Sequence, residues 1–463
     1  MIPRRYNGNA GRFRFATPHV KFASIGAFVL ALALALALVL PLLPLERGEQ
    51  GPLAGIYVSL AHLSILLLLV GIILLALAVC LYMKISDATM IAAQVRQGLF
   101  DPGRGNPLHL VDGELLPRVR CVRLSEGQYD LTIEAKPGVT VEAINNITSA
   151  VSASLTHRYQ QYAVTQTDAD VAYGEVTLRI ENVKVDHSIT YTAVEQMQPQ
   201  RPICLSVDAT NSIDLTTSGS ILVAGKTRSG KTTGVISLLL QVLLSGPDDY
   251  GSSVIIVDPK QAELSRLPHT VTIDENGEGR AILEALRDYA ATIVRRQQVL
   301  NDLSVACGDA VHWWDAGMQP SFIFVDEFVA CRSIFPKKAP KDGDYCIDTF
   351  DAMIKRIVTM GASAGCYVII SIAEASVQEG GLPAMLRSAM STRILFRPTR
   401  SEGLLIWDKE HLNTTPERVY GPGDAWFSST DGIHDAVSCV HFPRMTFAVY
   451  RELGRLLRDY YDS

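Results

Sequence analysis

A loop able to hold phosphate lies near the middle of the chain. Its residues are Gly225, Lys226, Thr227, Arg228, Ser229, Gly230, Lys231, Thr232 and Thr233. The order fits the pattern GxxxxGK[ST], in which backbone N–H groups converge on phosphate oxygens and a Cβ at either glycine would interfere. In this pattern Lys231 reaches the β- and γ-phosphates, and the Thr232 hydroxyl coordinates Mg²⁺. The sequence therefore predicts an ATP and Mg²⁺ site built by residues 225–233.

The neighbours of this loop have the patterns that the chemistry requires. Residues 221–224 are an apolar run typical of a buried strand, and residues 235–240 are an apolar run typical of a helix. A glycine-rich turn alone needs no ligand, but a strand, this loop and a helix in succession favour nucleotide binding.

A second apolar strand, residues 322–325, ends in two carboxylates. We predict that Asp326 holds Mg²⁺, partly through water, and that Glu327 polarises the attacking water. Solvated carboxylates are common at strand ends, so the pair alone is weak evidence for a metal site. Its place downstream of a phosphate loop strengthens that evidence. Lys231, Asp326 and Glu327 are thus the predicted catalytic residues.

Strand and helix patterns alternate through the second half of the chain. Short β-branched runs at 252–257, 321–325, 367–371, 393–396 and 437–442 are the predicted strands. Such alternation is typical of an α/β fold with a mostly parallel sheet. Before it, residues 85–200 predict a small α/β domain, with strands at 118–124, 129–135 and 174–180 and a helix at 141–155.

Two long apolar segments, residues 22–43 and 56–83, precede the small domain. Each exceeds the roughly 20 residues that cross a bilayer as a helix, so we predict two transmembrane helices. Basic residues cluster before the first segment, whereas the connecting loop has only Arg47; the cluster is Arg4, Arg5, Arg12, Arg14 and Lys21. The positive-inside rule then predicts a cell-membrane protein with both termini in the cytoplasm.

Composition narrows the possible partners. The formal net charge is −6, so any nucleic acid must be held by a local patch or pore and not by overall charge. The eight cysteines are scattered without a CxxC pair, which favours reduced thiols over a disulfide framework or a zinc site.

Several motifs together resemble the FtsK/SpoIIIE-type DNA translocases. They are residues 223–225 leading into the phosphate loop, 256–265 with Asp258 and Lys260, 325–328, 364–370, 392–397 and 421–425. In its two apolar segments and its small size, the chain also resembles the coupling ATPases of Gram-positive conjugative elements. The resemblance implies a RecA-like P-loop motor over residues 201–463 that assembles as a hexameric ring around DNA.

The resemblance also suggests further roles. Lys337, Lys338 and Lys341, in a proline-containing loop, are candidate DNA contacts in the pore, although a solvated surface loop is the simpler interpretation. Arg393 or Arg397 is a candidate arginine supplied to a neighbouring subunit's nucleotide; an arginine ending a strand is more often a structural ion-pair partner. Asp258 and Lys260 are interpreted as positioning groups, at a ring interface or near the phosphates.

One departure from the family concerns the γ-phosphate sensor. Where such translocases carry Thr-Gln-Arg-Pro, this chain has Ile372-Ala373-Glu374-Ala375, so that Ser371 is the candidate substitute. A single helix after residue 442 also leaves no room for a DNA-reading winged-helix domain before Ser463.

Three functions remain open from the sequence. The first is a membrane-anchored, ATP-driven DNA pump, divided into a basic arm (1–21), two membrane helices (22–84), a small domain (85–200) and the motor (201–463). Relaxase or other transfer proteins would be possible partners. The alternatives are a motor for protein export and a non-catalytic nucleotide-binding scaffold.

Overall fold

The computed structural model describes residues 5–8, 17–40, 52–341, 343–373, 383–412, 415, 420–432 and 434–462. Two compact units divide the chain, Met1–Val183 and Lys184–Ser463. The predicted orientation depends partly on Arg4, Arg12, Arg14 and Arg47, which lie outside the described residues, as do Glu374 and Ala375.

The first unit begins with a hairpin of two apolar helices, α1 (Pro18–Val39) and α2 (Pro52–Lys84). Both are long and apolar enough to cross a membrane. Small residues lie where the helices meet: a Cβ on Gly26 would be 3.1 Å from Leu74 Cβ, and one on Gly71 would be 2.6 Å from Leu30 Cγ. Such residues let helix backbones approach closely in lipid, where no hydrophobic force drives helices together.

A small α/β layer follows the hairpin. Its elements in chain order are α3 (Asp87–Phe100), β1 (Arg118–Ser125), β2 (Gln128–Glu134), α4 (Val141–Asn145), α5 (Thr148–Ser154), β3 (Tyr162–Asp170) and β4 (Glu175–Asn182). The strands form an antiparallel sheet in the order β1-β2-β4-β3. Apolar residues of α3 and α5, such as Ile91 and Val151, share one core with alternate residues of the sheet, such as Leu131 and Leu178.

The second unit carries a larger sheet. Its elements before the midpoint are β5 (Thr190–Tyr191), β6 (Cys204–Ser206), β7 (Ser212–Asp214), β8 (Ile221–Gly225), α6 (Lys231–Ser245), β9 (Val254–Val257), β10 (Thr270–Val271) and α7 (Arg280–Cys307). After them come β11 (Ser321–Val325), α8 (Phe328–Ser333), α9 (Ile347–Met360), β12 (Cys366–Ile372), α10 (Ala384–Ala389), β13 (Thr392–Phe396), α11 (Arg400–Ile406), β14 (Asp424–Ser429), β15 (Ser438–His441), β16 (Arg444–Met445) and α12 (Val449–Asp462).

Eight of these strands form one sheet, in the order β10-β9-β11-β12-β8-β13-β14-β15. The first six run parallel, and β14 and β15 add antiparallel pairings at one edge. Helices cover both faces: along β8, Ile221 and Val223 belong to one core, and Leu222 and Ala224 to the other. Burial on both sides explains why the parallel strands are continuous apolar runs. The predicted α/β class with a mostly parallel sheet is confirmed.

The predicted strands all occur, with ends shifted by up to a few residues. Seven strands of the described residues escaped prediction. One is β3 in the small domain, two are β10 and β14 in the larger sheet, and the other four are the short strands β5, β6, β7 and β16. The predicted helix at 141–155 is divided, because Ile147 has φ −97° and ψ 13° between α4 and α5.

A buried ion pair joins α7 to the loop between α6 and β9. Arg296 is fully buried, and its Nη2 lies 3.3 Å from Asp248 Oδ2. The guanidinium also donates to Ser321 Oγ at 2.9 Å and to the Gln319 carbonyl at 2.8 Å. Removing one partner of a buried pair leaves an uncompensated charge, which makes such pairs sensitive to truncation.

We therefore expect Arg296→Ala to destabilise the protein by about 3–5 kcal/mol, because Asp248 would stay buried without its cation. Thermal unfolding of the detergent-purified chain should show a midpoint lowered by roughly 10 °C. Arg295→Ala is the matched control, since Arg295 is the exposed neighbour on the same helix. Equal midpoints for the two variants would contradict this role of Arg296.

Candidate nucleotide site

The carboxyl ends of four parallel strands bring the predicted site residues together. Ala224 of β8 lies opposite Ile372 of β12, and Val325 of β11 lies opposite both Ile370 of β12 and Val257 of β9. The residues that follow these positions therefore meet at one edge of the sheet, which is where ligands bind in open α/β sheets.

Both glycines of the phosphate loop have conformations and neighbours that exclude a side chain. Gly225 has φ +152°, and a Cβ there would lie 2.9 Å from Ser229 Oγ and from Phe396 Cβ. Gly230 has φ +97°, and its Cβ would lie 2.7 Å from the Gly423 nitrogen. The loop is thus held against the turn before β14, where Gly423 N–H donates to the Ser229 carbonyl at 3.0 Å.

The cradle fits a phosphate group. Ser229 Oγ is buried and has no hydrogen-bond partner within the described part of the chain. Such an orphaned donor calls for a ligand or ordered water. The loop leads into α6, whose first residue is Lys231, and a helix N-terminus favours anions. Lys226, Thr227, Arg228 and Thr233 are exposed around it, and Thr232 is half-buried.

The acidic pair is tied to β12 through one hydroxyl. Ser371 Oγ donates to Asp326 Oδ1 at 2.5 Å and accepts the Glu327 N–H at 3.0 Å. Glu327 itself has φ +46°, a left-handed conformation that is uncommon for a residue with a side chain. Because Ser371 has one proton to donate, its hydroxyl is occupied in positioning Asp326.

Burial raises the pKa of Asp326, and the Ser371 hydrogen bond and the charge of Lys231 oppose that shift. A carboxylate with these neighbours suits a hard cation, which prefers oxygen ligands. Asp326 and the Thr232 hydroxyl are the residues that would hold Mg²⁺, as the sequence predicts.

Two lysines flank the Glu327 carboxylate. Lys231 Nζ lies 3.3 Å from Oε1, and Lys260 Nζ lies 3.5 Å from Oε2. Lys231 is buried and Lys260 is exposed. The sequence placed Lys260 in a positioning role, but the contact with Glu327, across a gap of 67 positions from residue 260 to residue 327, has no local signal.

Asp258 organises the turn that carries Lys260. Its carboxylate accepts the backbone N–H groups of Lys260, Ala262 and Ser265 at 3.1, 2.9 and 3.0 Å. The side chain is fully buried within its own loop. Both residues therefore lie at the same edge of the sheet as Glu327.

The two candidate arginines differ in their surroundings. Arg393 donates to the carbonyls of Met390 and Ile406, at 3.3 and 3.0 Å, and burial and then Arg387 lower its pKa. Arg397 is exposed just beyond the end of β13, whose residue Phe396 pairs with Gly225. Its Nε donates to the Tyr420 carbonyl at 3.3 Å.

The three candidate pore lysines share one surface loop. Lys337, Lys338 and Lys341 are all exposed in the connection between α8 and α9. None of the three forms an ion pair with another described residue.

A phosphate loop between a parallel strand and a helix, beside a strand that ends in two carboxylates, defines the P-loop nucleotide-binding fold. Residues 186–331 match the model of the FtsK/SpoIIIE family. This segment is therefore an FtsK/SpoIIIE domain, and the resemblance noted in the sequence is confirmed. The match includes the phosphate loop, Asp258, Lys260, Asp326 and Glu327.

Curated relatives agree with the family match. The chain is 25% identical over 231 residues to "DNA translocase FtsK" of Helicobacter pylori, covering 48% of this chain and 25% of that protein. It is 23% identical over 329 residues to "DNA translocase FtsK" of Shewanella oneidensis, covering 63% of this chain and 34% of that protein. The chain thus spans a quarter to a third of these relatives.

Among solved structures, the chain is similar to the monomer form of the pCW3 conjugation coupling protein TcpA with ATPγS. The superposition covers 80% of this chain and 99% of that one, with 13% identity and a TM-score of 0.47. At these values the likeness says nothing about what this chain binds.

We expect Ser371→Ala to weaken Mg²⁺-dependent ATP binding about tenfold, because a buried charged group loses a hydrogen bond. Loss of that bond also raises the pKa of Asp326 further. Asp326 is then protonated at a higher pH, so binding should fail at a higher pH as the solution is acidified. Fluorescent-nucleotide titrations across pH measure both effects.

Ser237→Ala is the control for this prediction. Ser237 is equally buried, but its hydroxyl donates only to the Gly234 carbonyl inside α6. The same affinity and pH profile in both variants would show that Ser371 does not position the acidic pair.

Proposed function

We propose that the chain is a membrane-anchored, ATP-driven DNA translocase, which acts as a coupling protein in conjugative transfer or segregation. The observation that carries this proposal is the meeting of Lys231, Asp326, Glu327 and Lys260 at one edge of an FtsK/SpoIIIE domain. A non-catalytic scaffold would need no glutamate between two lysines at that edge.

In this proposal residues 225–233 hold ATP, and Thr232 and Asp326 hold Mg²⁺, the latter partly through water. Bound Mg²⁺-ATP supplies the bond that is cleaved and the metal charge that offsets the phosphates. Lys231 contacts the β- and γ-phosphates, and Glu327 takes a proton from the attacking water. The Ser371 hydroxyl holds the Asp326 carboxylate and the backbone N–H of Glu327 in place.

Lys260 acts as a positioning residue. Lys231 has to leave Glu327 Oε1 to reach a phosphate, and Lys260 at 3.5 Å then keeps the carboxylate at the edge of the sheet. The Asp258 hydrogen bonds hold the backbone of the turn, and so they place the start of the Lys260 side chain beside Glu327.

The cargo is DNA, and the working form is a hexameric ring with DNA in its pore. Lys337, Lys338 and Lys341 contact phosphates there. Arg397 is the better candidate for an arginine supplied to the neighbouring subunit, because Arg393 is half-buried and engaged by two carbonyls of its own chain. Relaxase or another transfer protein delivers the DNA.

The two apolar helices anchor the ring in the cell membrane, with the arm (1–21), the small domain (85–200) and the motor (201–463) in the cytoplasm. This arrangement follows from the basic residues before α1 and the length of both helices.

Lys231→Ala should abolish both ATP hydrolysis and DNA movement while membrane insertion stays intact, because the phosphates lose their buried cation. Displacement of a triplex-forming strand from duplex DNA by the reconstituted chain measures movement. Lys355→Ala is the matched control, because Lys355 is an exposed lysine on α9, outside the nucleotide site. Strand displacement by Lys231→Ala would contradict the motor, and hydrolysis without displacement by the wild-type chain would favour protein export.

Replacing Lys337, Lys338 and Lys341 together by alanine should reduce the slope of log Kd against log salt for duplex DNA by about three, one unit for each lost phosphate contact. Fluorescence anisotropy at several salt concentrations measures the slope. The control removes three exposed charges from α12, those of Arg451, Arg455 and Arg458. An equal change in both triple variants would contradict a pore role for the lysines.

A further inference from the structure

A small hollow lies where the second apolar helix enters the small domain. Its volume is about 310 Å³, and it is lined by the turn at residues 85–88 and by Arg123, Tyr129 and Arg158. This size lies at the lower end of the range for small-ligand pockets. The lining residues all belong to the first unit of the chain, so the hollow is separate from the nucleotide site.

Chain connectivity fixes how far this hollow can be from the membrane boundary. The apolar span ends at Lys84, and Asp87 follows it by three residues. Three residues reach at most about 11 Å, even when fully extended. The Debye length at physiological salt is about 8 Å, which is comparable with this reach, so charges around the hollow are only partly screened from the headgroup layer.

The hollow carries a positive charge that its own wall does not cancel. Arg158 pairs with Asp87 and lies over the Tyr159 ring at 4.9 Å. Arg123 donates its Nε–H to the Ser125 carbonyl at 3.1 Å, and it forms no ion pair with any described residue. The two arginines and Asp87 sum to +1, and Lys84 in the preceding helical turn makes this +2.

The Asp87 carboxylate is already bonded to neighbouring side chains, and these bonds weaken its repulsion of an incoming anion. Its carboxylate accepts the Tyr159 hydroxyl at 2.6 Å and the Tyr129 hydroxyl at 3.4 Å, in addition to Arg158. Burial, and next the charge of Asp87, raises the pKa of Tyr129 to about 12, so its hydroxyl remains a donor at neutral pH. The hollow is therefore lined by two guanidinium groups, and the one carboxylate in its wall is already bonded to Arg158 and to two tyrosines.

We propose that Arg123 and Arg158 form a binding site for the phosphate group of an anionic phospholipid. A guanidinium matches phosphate geometry through two parallel N–H groups, and basic pockets beside membrane helices suit anionic headgroups. The site rests on the membrane anchor proposed above. It ties the small domain to lipid through charge, independently of nucleotide.

The test uses the full chain in mixed micelles, titrated with phosphatidylglycerol or with phosphatidylcholine of the same acyl chains, and read by native mass spectrometry. We expect wild-type protein to prefer phosphatidylglycerol. Arg123→Ala should lower its affinity about fivefold, the effect of one basic residue near an anionic surface. Arg158→Lys, which keeps the charge but loses the planar fork, should also lower it.

Arg120→Ala is the matched control, because Arg120 is exposed on the same strand β1 but does not line the hollow. No preference between the two lipids, or an equal loss in Arg120→Ala and Arg123→Ala, would overturn the site. Displacement of the lipid by inorganic phosphate at equal concentration would also overturn it, in favour of a free anion.

Flotation of vesicles after alkaline carbonate extraction tests the membrane anchor separately from the lipid site. Wild-type chain that floats but shows no lipid preference would overturn the site and leave the anchor standing. Wild-type chain that fails to float would overturn the anchor and the lipid site together.

Discussion

Three carboxylates at the carboxyl edge of the large sheet, those of Asp258, Asp326 and Glu327, each have a partner among the described residues. This pairing is what the site depends on. The sheet is buried on both faces, and an unpaired charge beside it would be costly. Asp258 is satisfied by three backbone amides, and Asp326 by Ser371. Glu327 is held by Lys231 and Lys260. All of these partners come from the chain itself.

In our proposal, these ion pairs link nucleotide binding to the position of the Glu327 carboxylate. Lys231 cannot bond both Glu327 and a phosphate at full strength, so phosphate binding competes with the existing ion pair. Lys260 makes the exchange possible without leaving the carboxylate unpaired. The family's sensing glutamine is absent here, and the hydroxyl of Ser371, the candidate substitute, donates to Asp326. In our proposal, nucleotide binding is therefore coupled to the active site when Lys231 moves from Glu327 to a phosphate and Lys260 stays bonded to Glu327.

The sequence was sufficient for the parts of the fold with strong local patterns. The phosphate loop, the acidic pair and the buried parallel strands follow from glycine spacing and apolar runs, and two apolar helices follow from their length. β3 and β14 were missed because their polar residues interrupt the alternation, as in Thr167 and Asp168 of β3. Ser371 was noticed, but its bonds to Asp326 and Glu327 depend on the register between β11 and β12. Likewise, the Lys260 contact with Glu327 depends on strand order, which no local pattern encodes.

The most direct test of a DNA motor is the steady-state ATPase rate of the full chain in nanodiscs, with and without duplex and single-stranded DNA. Glu327→Gln serves as the blank, because it keeps the shape of the side chain but cannot accept the proton. We predict that one form of DNA raises the rate and that the blank loses this rise. A wild-type rate that is the same with no DNA, duplex DNA and single-stranded DNA would contradict DNA translocation as the function.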